Sequence, residues 1–163
     1  MNIPGLVCEF GVAAGKSINY LAQKLPEKKI FGFDSFEGLP ETWRDGHPAG
    51  RFKVENMPQV APNVTLIKGW FNETLPTFLN QHSDPIALLH IDCDLYSSTK
   101  TIFSLTKSRL QPGSIIVFDE FFNYPGWKNG EYRAFYEFIE ESGMPFEYIG
   151  YNRYGTQAAV RLT

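Results

Sequence analysis

The sequence predicts an α/β fold: a Rossmann-like, mostly parallel, seven-stranded sheet with helices on both faces and a C-terminal antiparallel hairpin. Three observations support this fold class. Short apolar runs alternate with helical patterns along the chain. A glycine-bearing turn follows the first run, and a turn-rich loop separates the last two. Strands that alternate with helices form parallel sheets, whereas a terminal hairpin adds an antiparallel strand.

The chain begins with a predicted strand at residues 6–10, which leads into the turn GVAAG at residues 11–15. A helix is predicted over residues 16–25, because apolar residues recur at i, i+3, i+4 and i+7 from Ile18. Pro26 ends this pattern. The first unit is therefore a strand, a glycine turn and a helix.

Strands at residues 29–33 and 64–68 flank a polar stretch that is rich in Pro and Gly. Residues 75–81 then form a short helix, and residues 86–91 form the strongest strand of the chain. Such an apolar run is expected in the middle of a parallel sheet.

The C-terminal half continues with a helix at residues 97–110, a strand at residues 114–118 and a helix at residues 130–142. The last two strands, residues 146–151 and 156–161, are joined by a loop of hairpin type.

Length and composition favour one domain that spans residues 1–163, since 43% of the 163 residues are hydrophobic. The formal net charge of −3, without a run of Lys or Arg, gives no reason to expect nucleic acid as a partner. Cys8 and Cys93 lie in apolar runs and are expected to be reduced thiols. No signal peptide or bilayer-length apolar run is found, so we expect a cytoplasmic protein with no membrane partner.

The turn after the first strand is the first candidate site. Its glycines, Gly11 and Gly15, follow G-x-x-x-G spacing rather than the G-x-G-x-x-G spacing that holds a pyrophosphate. Glu9 would repel a pyrophosphate, but it could accept a hydrogen bond from the ammonium group of a methionine-like ligand. The loop therefore suits a zwitterion better than a dinucleotide.

Asp34 ends the second strand, 19 residues beyond Gly15, where a carboxylate can accept hydrogen bonds from both hydroxyls of a ribose. The adenine ring is expected near the end of the third strand. The residues predicted to bind the cofactor are Glu9, Phe10, Gly11, Ala14, Gly15, Ser17, Asp34, Ser35, Gly69 and Trp70.

Five segments of the chain resemble the macrocin O-methyltransferase-like family, a group of class I S-adenosylmethionine-dependent methyltransferases that modify sugar hydroxyls. The most specific of them is GFDSFEGLP at residues 32–40. The others are EFGVAAGKS at 9–17, GWFNETLP at 69–76, HIDCDLYSST at 90–99 and VFDEF at 117–121.

The resemblance implies S-adenosyl-L-methionine as the methyl donor, a small-molecule hydroxyl as the acceptor, and a divalent cation held by Asp92, Asp119 and Glu120. The family usually has two consecutive aspartates where this chain has Asp119 and Glu120. Its members also carry helices before the first strand, which close the site and form dimers. We therefore expect this chain to lack a helical cap, and a homo-oligomer stays open.

The predicted chemistry is deprotonation and alignment of a hydroxyl. Asp92, Asp119 and Glu120 follow neighbouring strands, and converging carboxylates repel one another unless a cation, of which Mg²⁺ is the best match, lies between them. The alternative is that these acids cap helices and face water. Asp92 and His47 are the candidate catalytic residues, with His47 as the base. Asp94 is expected to point away and to bind backbone donors.

Residues 41–63 are predicted to be a mobile lid that carries His47 over the acceptor, because structureless loops of this length are uncommon in compact domains. His90 is expected to be a core histidine. Two other functions stay open: an NAD-dependent oxidoreductase, and a catalytically silent cofactor-binding module.

Overall fold

The computed structural model describes residues 3–163. Its strands are β1 Leu6–Phe10, β2 Ile30–Asp34, β3 Val64–Lys68, β4 Ile86–Ile91, β5 Ile115–Phe118, β6 Phe146–Tyr151 and β7 Ala158–Leu162. They form a seven-stranded sheet in the order β3-β2-β1-β4-β5-β7-β6. The first five strands are parallel, and β7 is antiparallel to both β5 and β6. The predicted fold class is confirmed.

Helices cover both faces of the sheet. They are α1 Lys16–Lys24, α2 Phe71–Gln81, α3 Tyr96–Thr106 and α4 Glu131–Ser142. Ile18 and Ala22 of α1 belong to one buried cluster, whereas Phe78, Phe103 and Phe135, from α2, α3 and α4, belong to the other. The apolar stripe of each helix therefore determines which face of the sheet it covers.

The centre of the sheet is rigid because β1 is buried along its whole length. At its end the ring of Phe10 stacks on Phe33 at 4.8 Å between centroids, and the edge of Phe71 meets Phe10 at 5.3 Å. Between α3 and α4, Phe103 stacks on Phe138 at 4.7 Å. This packing holds the strand ends, and hence the loops that follow them, in place.

Two of the element boundaries that differ from the predictions have a clear hydrogen-bonding reason. Helix α2 begins at Phe71 rather than at residue 75, because the carbonyl oxygen of Trp70 accepts the N–H groups of Glu73 and Thr74, both at 3.0 Å. The last strand begins at Ala158 rather than at residue 156, because the carbonyl oxygen of Thr156 accepts bonds from the loop after β5 instead of joining the strand ladder.

Cys8 and Cys93 are free and buried, as predicted. Burial raises the pKa of the Cys8 thiol far above its usual range. Within residues 3–163, none of the helices combines the length and apolarity that a bilayer span requires.

Candidate functional site

A cavity of about 590 Å³ lies at the edge of the sheet where the parallel strands end. Its walls come from the loops that follow β1 to β5 and from the first turns of α2 and α3. Open α/β sheets bind their ligands outside the carboxyl ends of the strands. The cavity therefore lies where the sequence places the candidate site.

The turn after β1 brings two backbones into close contact. Gly11 has a φ of 92°, and its N–H donates to the carbonyl oxygen of Phe33 at 3.0 Å. A Cβ at this position would overlap the carbonyl oxygen of Asp92. Glycine alone adopts this conformation at such an approach without strain. The floor of the cavity thus depends on Gly11.

Asp34 lies in the cavity wall and organises the glycine turn. Its Oδ2 accepts the backbone N–H groups of Val12 and Ala13, both at 2.8 Å, and its Oδ1 accepts the N–H of Phe36 at 2.6 Å. A carboxylate has about four lone-pair sites, so it can accept a further bond from a ligand. Contact between Asp34 and a ribose stays a prediction.

Glu9 faces the interior and not the cavity. Its carboxylate is fully buried and accepts bonds from the Ser17 hydroxyl and from Nδ1 of His90, both at 2.9 Å. Each oxygen of Glu9 thus already has one partner within the protein, and contact between Glu9 and an ammonium group stays a prediction. Ser17 is committed to the same interaction. His90 is a satisfied, mostly buried histidine, as expected.

Three other predicted cofactor contacts also lie outside the cavity wall. Phe10 is fully buried in the core, Ala14 is exposed, and a Cβ on Gly15 would lie 2.9 Å from the side chain of Pro58. Within this turn only Gly11 and Ala13 line the cavity, so cofactor contacts of Phe10, Ala14 and Gly15 stay predictions. The sequence pattern missed Ala13, whose positive φ of 43° carries no recognisable signal in an alanine.

The wall near the predicted adenine site is aromatic. Trp70 and Ser35 line the cavity as expected, and Phe71 and Asn72 line it as well. Gly69 does not line it: its φ is 141°, and a Cβ there would lie 2.7 Å from the side chain of Thr74. The role of Gly69 is therefore to let the chain turn into α2.

Three carboxylates converge in another part of the cavity wall. Asp92, Asp119 and Glu120 each place one oxygen within 4.8 Å of the others. Burial, with a contribution from the charge of Asp119, raises the pKa of Asp92 to about 7. Burial also raises the pKa of Glu120 to about 10, with contributions from Glu131 and Asp119. Without a cation, this crowding favours protonated forms.

The sequence analysis missed Glu131, a fully buried carboxyl group in the first turn of α4. Its Oε2 accepts the backbone N–H of Glu120 at 3.2 Å. Among the described residues, Oε1 of Glu131 and Oε2 of Glu120 are buried without a hydrogen-bond partner. Buried, unpaired carboxylate oxygens beside a carboxylate cluster fit a hard divalent cation. A lone Glu at a helix start gave no signal of this proximity.

The side chain of Asp94 lines the cavity, although it was expected to point away from the site. The reason is its φ of 64°, which interrupts the alternation of side chains along an extended strand. Burial, reinforced by Asp119, raises the pKa of Asp94 to about 6.

His47 does not line the cavity. Its ring lies 5.2 Å from the ring of Trp43 between centroids, and its Nδ1 donates to the carbonyl oxygen of Asp45 at 3.2 Å. The loop that carries it is attached to the rest of the domain, since Glu41 accepts the Ser97 hydroxyl at 2.5 Å. Phe52 of the same loop lines the cavity. A catalytic role of His47 therefore requires movement of this loop and stays a prediction.

The family model described as a methyltransferase domain matches residues 8–121. The chain belongs to this methyltransferase-domain family. The match overturns the NAD-dependent oxidoreductase, and the matched segment contains the glycine turn and all the residues that line the cavity.

Among curated proteins, the chain is similar to demethyldecarbamoylnovobiocin O-methyltransferase of Streptomyces niveus, with 26% identity over 86% of this chain and 62% of that protein. It is 24% identical to mycinamicin III 3''-O-methyltransferase of Micromonospora griseorubida over 94% of this chain and 67% of that protein. The chain thus spans about three fifths of the length of the first of these relatives. The resemblance to O-methyltransferases that modify natural products is confirmed.

Solved structures show the same fold. The calicheamicin methyltransferase CalS11 superimposes with a TM-score of 0.80 and 28% identity, over 98% of this chain and 73% of that one. A second structure of CalS11, described as a TDP-rhamnose 3'-O-methyltransferase, has a TM-score of 0.71 and 27% identity over 99% of this chain and 73% of that one. The mycinamycin-pathway methyltransferase MycE, solved with Mg and SAH, has a TM-score of 0.63 at 15% identity, over 99% of this chain and 46% of that one.

Proposed function

We propose that this domain transfers a methyl group from S-adenosylmethionine to a hydroxyl group of a sugar or another natural product, with the help of a divalent cation. One observation carries the proposal. The glycine turn, Asp34 and the carboxylates of Asp92, Asp119 and Glu120 all line a single cavity. A donor held by the first residues and a hydroxyl held by a cation on the carboxylates could therefore meet within it.

The donor side is built from Gly11, Ala13, Asp34 and Trp70. S-adenosylmethionine, when bound, supplies an electrophilic sulfonium methyl group. The residues of this chain would hold its ribose and adenine and exclude water from the reacting atoms. Asp34 is the polar anchor, because it already lies in the wall with its two oxygens fixed by backbone donors.

The acceptor side is built from Asp92, Asp119 and Glu120, which would hold Mg²⁺, or Mn²⁺ or Ca²⁺, through oxygen atoms alone. A bound cation supplies a Lewis acid that lowers the pKa of a hydroxyl group. The solved structure of MycE is a complex with Mg and SAH, which supports this assignment. Glu120 has a longer side chain than aspartate, and its backbone is held by Glu131.

Replacement of Asp34 by Ala is expected to weaken S-adenosylmethionine binding roughly 10- to 150-fold, because charge-assisted hydrogen bonds contribute about 1.5–3 kcal/mol. Titration calorimetry with S-adenosylmethionine measures this loss. Asp34→Asn, which keeps one acceptor oxygen, should lose less than Asp34→Ala. The control is Asp84→Ala, which lies at the other end of the strands, outside this cavity.

Unchanged affinity of Asp34→Ala for S-adenosylmethionine would show that Asp34 does not bind the donor. Tighter binding of NAD than of S-adenosylmethionine by the wild-type protein would contradict the proposed function itself.

His47 is proposed as the base that accepts the hydroxyl proton once residues 41–63 close over the acceptor. With Nδ1 bound to Asp45, Nε2 is the nitrogen left to take this proton. His47→Ala is expected to lower kcat roughly 10²-fold or more, the lower end of the usual contribution of general bases. In the wild-type protein, saturating cofactor and acceptor should slow tryptic cleavage at Arg44, Arg51 and Lys53.

Wild-type turnover in His47→Ala would show that His47 is not the base, without contradicting the lid. Tryptic cleavage that saturating ligands do not slow would show that residues 41–63 do not act as a lid.

The acceptor class follows from the named activities of the relatives, which include sugar hydroxyls. A cation on the three carboxylates could bind two vicinal hydroxyls of a sugar and orient the one that is attacked. Turnover with TDP-rhamnose and a panel of glycosides and catechols would test the class. Donor binding without turnover on any of them would favour the silent cofactor-binding module.

A further inference from the structure

The hairpin between β6 and β7 reaches the carboxylate cluster through one side chain. Nε2 of Gln157 donates to Oδ1 of Asp119 at 2.9 Å. Oε1 of Gln157 accepts Nδ2 of Asn152 at 2.8 Å, and Oδ1 of Asn152 accepts the N–H of Tyr154 at 3.1 Å. Because Asn152 holds the oxygen of the Gln157 amide, the nitrogen is directed at Asp119.

Gly155 provides independent support that this amide pair shapes the hairpin. A Cβ on Gly155 would overlap both Nδ2 of Asn152 and Oε1 of Gln157. Its φ does not lie in the left-handed region, so backbone conformation alone does not require glycine there. Glycine at this position leaves room for the two amides to meet, and a side chain there would require them to shift.

The same hairpin also holds the backbone next to Asp119. The carbonyl oxygen of Thr156 accepts the N–H groups of Phe121, at 2.9 Å, and Phe122, at 3.3 Å. Nδ2 of Asn123 donates to the carbonyl oxygen of Gly155 at 3.2 Å. Hairpin and loop are thus joined along several residues, and the amide pair adds the one bond that reaches the carboxylate.

We propose that Asn152 and Gln157 are positioning residues that orient Asp119 for the cation; this inference rests on the cation site of the proposed function. The bond from Gln157 occupies Oδ1 of Asp119 and leaves Oδ2 as the free acceptor. An amide donor orients the carboxylate without neutralising it, whereas Lys or Arg would compete with the cation for its charge. Outer-shell partners of this kind orient metal ligands and tune their affinity.

The test measures Mn²⁺ binding to the full chain by electron paramagnetic resonance of the free ion, without cofactor or acceptor. Gln157→Leu removes the donor and should weaken Mn²⁺ binding roughly 10- to 100-fold, the usual cost of losing such a partner. Asn152→Asp keeps the acceptor for Tyr154 but replaces the donor to Gln157 with an acceptor, so the Gln157 amide should turn its nitrogen away from Asp119 and Mn²⁺ binding should fall by a similar factor. Gln23→Leu, at an exposed position on α1, is the matched control and should bind Mn²⁺ like the wild type.

Thermal unfolding in chelator separates positioning from folding, because a purely structural role would change the unfolding temperature and a positioning role would change Mn²⁺ affinity. If Gln157→Leu does not fold, Asn152→Asp carries the test. Mn²⁺ affinity in folded variants within twofold of the wild type overturns the inference and leaves the cation site standing. A wild-type protein that binds no Mn²⁺ overturns the cation site and the inference together, while S-adenosylmethionine titration still decides the donor site.

Discussion

Replacement of Asp92 by Asn is expected to lower the rate of methyl transfer roughly 10²- to 10⁴-fold. This is the usual range when an enzyme loses a group that assists deprotonation of its substrate. The amide keeps the shape of the carboxylate but removes its charge from the cluster with Asp119 and Glu120. Cation affinity should fall with activity, whereas S-adenosylmethionine should still bind, because Asp34 and the glycine turn are unchanged.

Three measurements check this expectation: turnover with added Mg²⁺, Mn²⁺ binding, and thermal unfolding in chelator. In chelator, Asp92→Asn should be as stable as the wild type or more stable, because one of several crowded carboxyl groups has lost its charge. Asp84→Asn is the control outside the cavity. Full activity of Asp92→Asn in excess chelator would contradict the cation site, and a collapse of the fold would assign Asp92 a structural role.

Replacement of Gly11 by Ala is expected to destabilise the domain by roughly 2–5 kcal/mol and to abolish donor binding. An alanine in the left-handed region costs about 1–2 kcal/mol. Overlap with the carbonyl oxygen of Asp92 adds an overpacking cost of about 1–3 kcal/mol, because that backbone follows a buried central strand. The unfolding temperature should fall by about 2–4 °C for each kcal/mol.

Gly46→Ala is the matched control. Gly46 has a φ of 78°, similar to the 92° of Gly11, but a Cβ there would meet nothing within 4 Å. The difference in unfolding free energy between the two variants therefore isolates the close approach to Asp92. Equal destabilisation of the two would show that conformation alone explains the need for Gly11.

The first part of the site could be predicted because its signals are local. Gly11 and Asp34 stand at strand ends, and parallel strands bring their ends to one edge of a sheet. The same reasoning placed Asp92, Asp119 and Glu120 together, and the structure finds one oxygen of each within 4.8 Å of the others. Position along a strand was enough, because the sheet topology supplies the third dimension.

Side-chain direction and long-range partners could not be predicted from the sequence. Both oxygens of Glu9 have protein partners, His90 on β4 and Ser17 on α1, so its contact with a ligand stays a prediction. Asp94 was expected to point away from the site, but its left-handed backbone turns it into the cavity.

The amino-acid sequence by itself determined the types and order of the elements, the parallel sheet with its terminal hairpin, and the edge at which ligands bind. Apolar periodicity, glycine and proline act over a few residues, so they can be recognised without a structure. Only the tertiary structure decided that Glu131 lies beneath the carboxylates and that Gln157 reaches Asp119, 38 positions earlier in the chain. Such partners depend on the packing of α4 against the sheet and on the pairing of β7 with β5, and local sequence carries no signal for contacts over that distance.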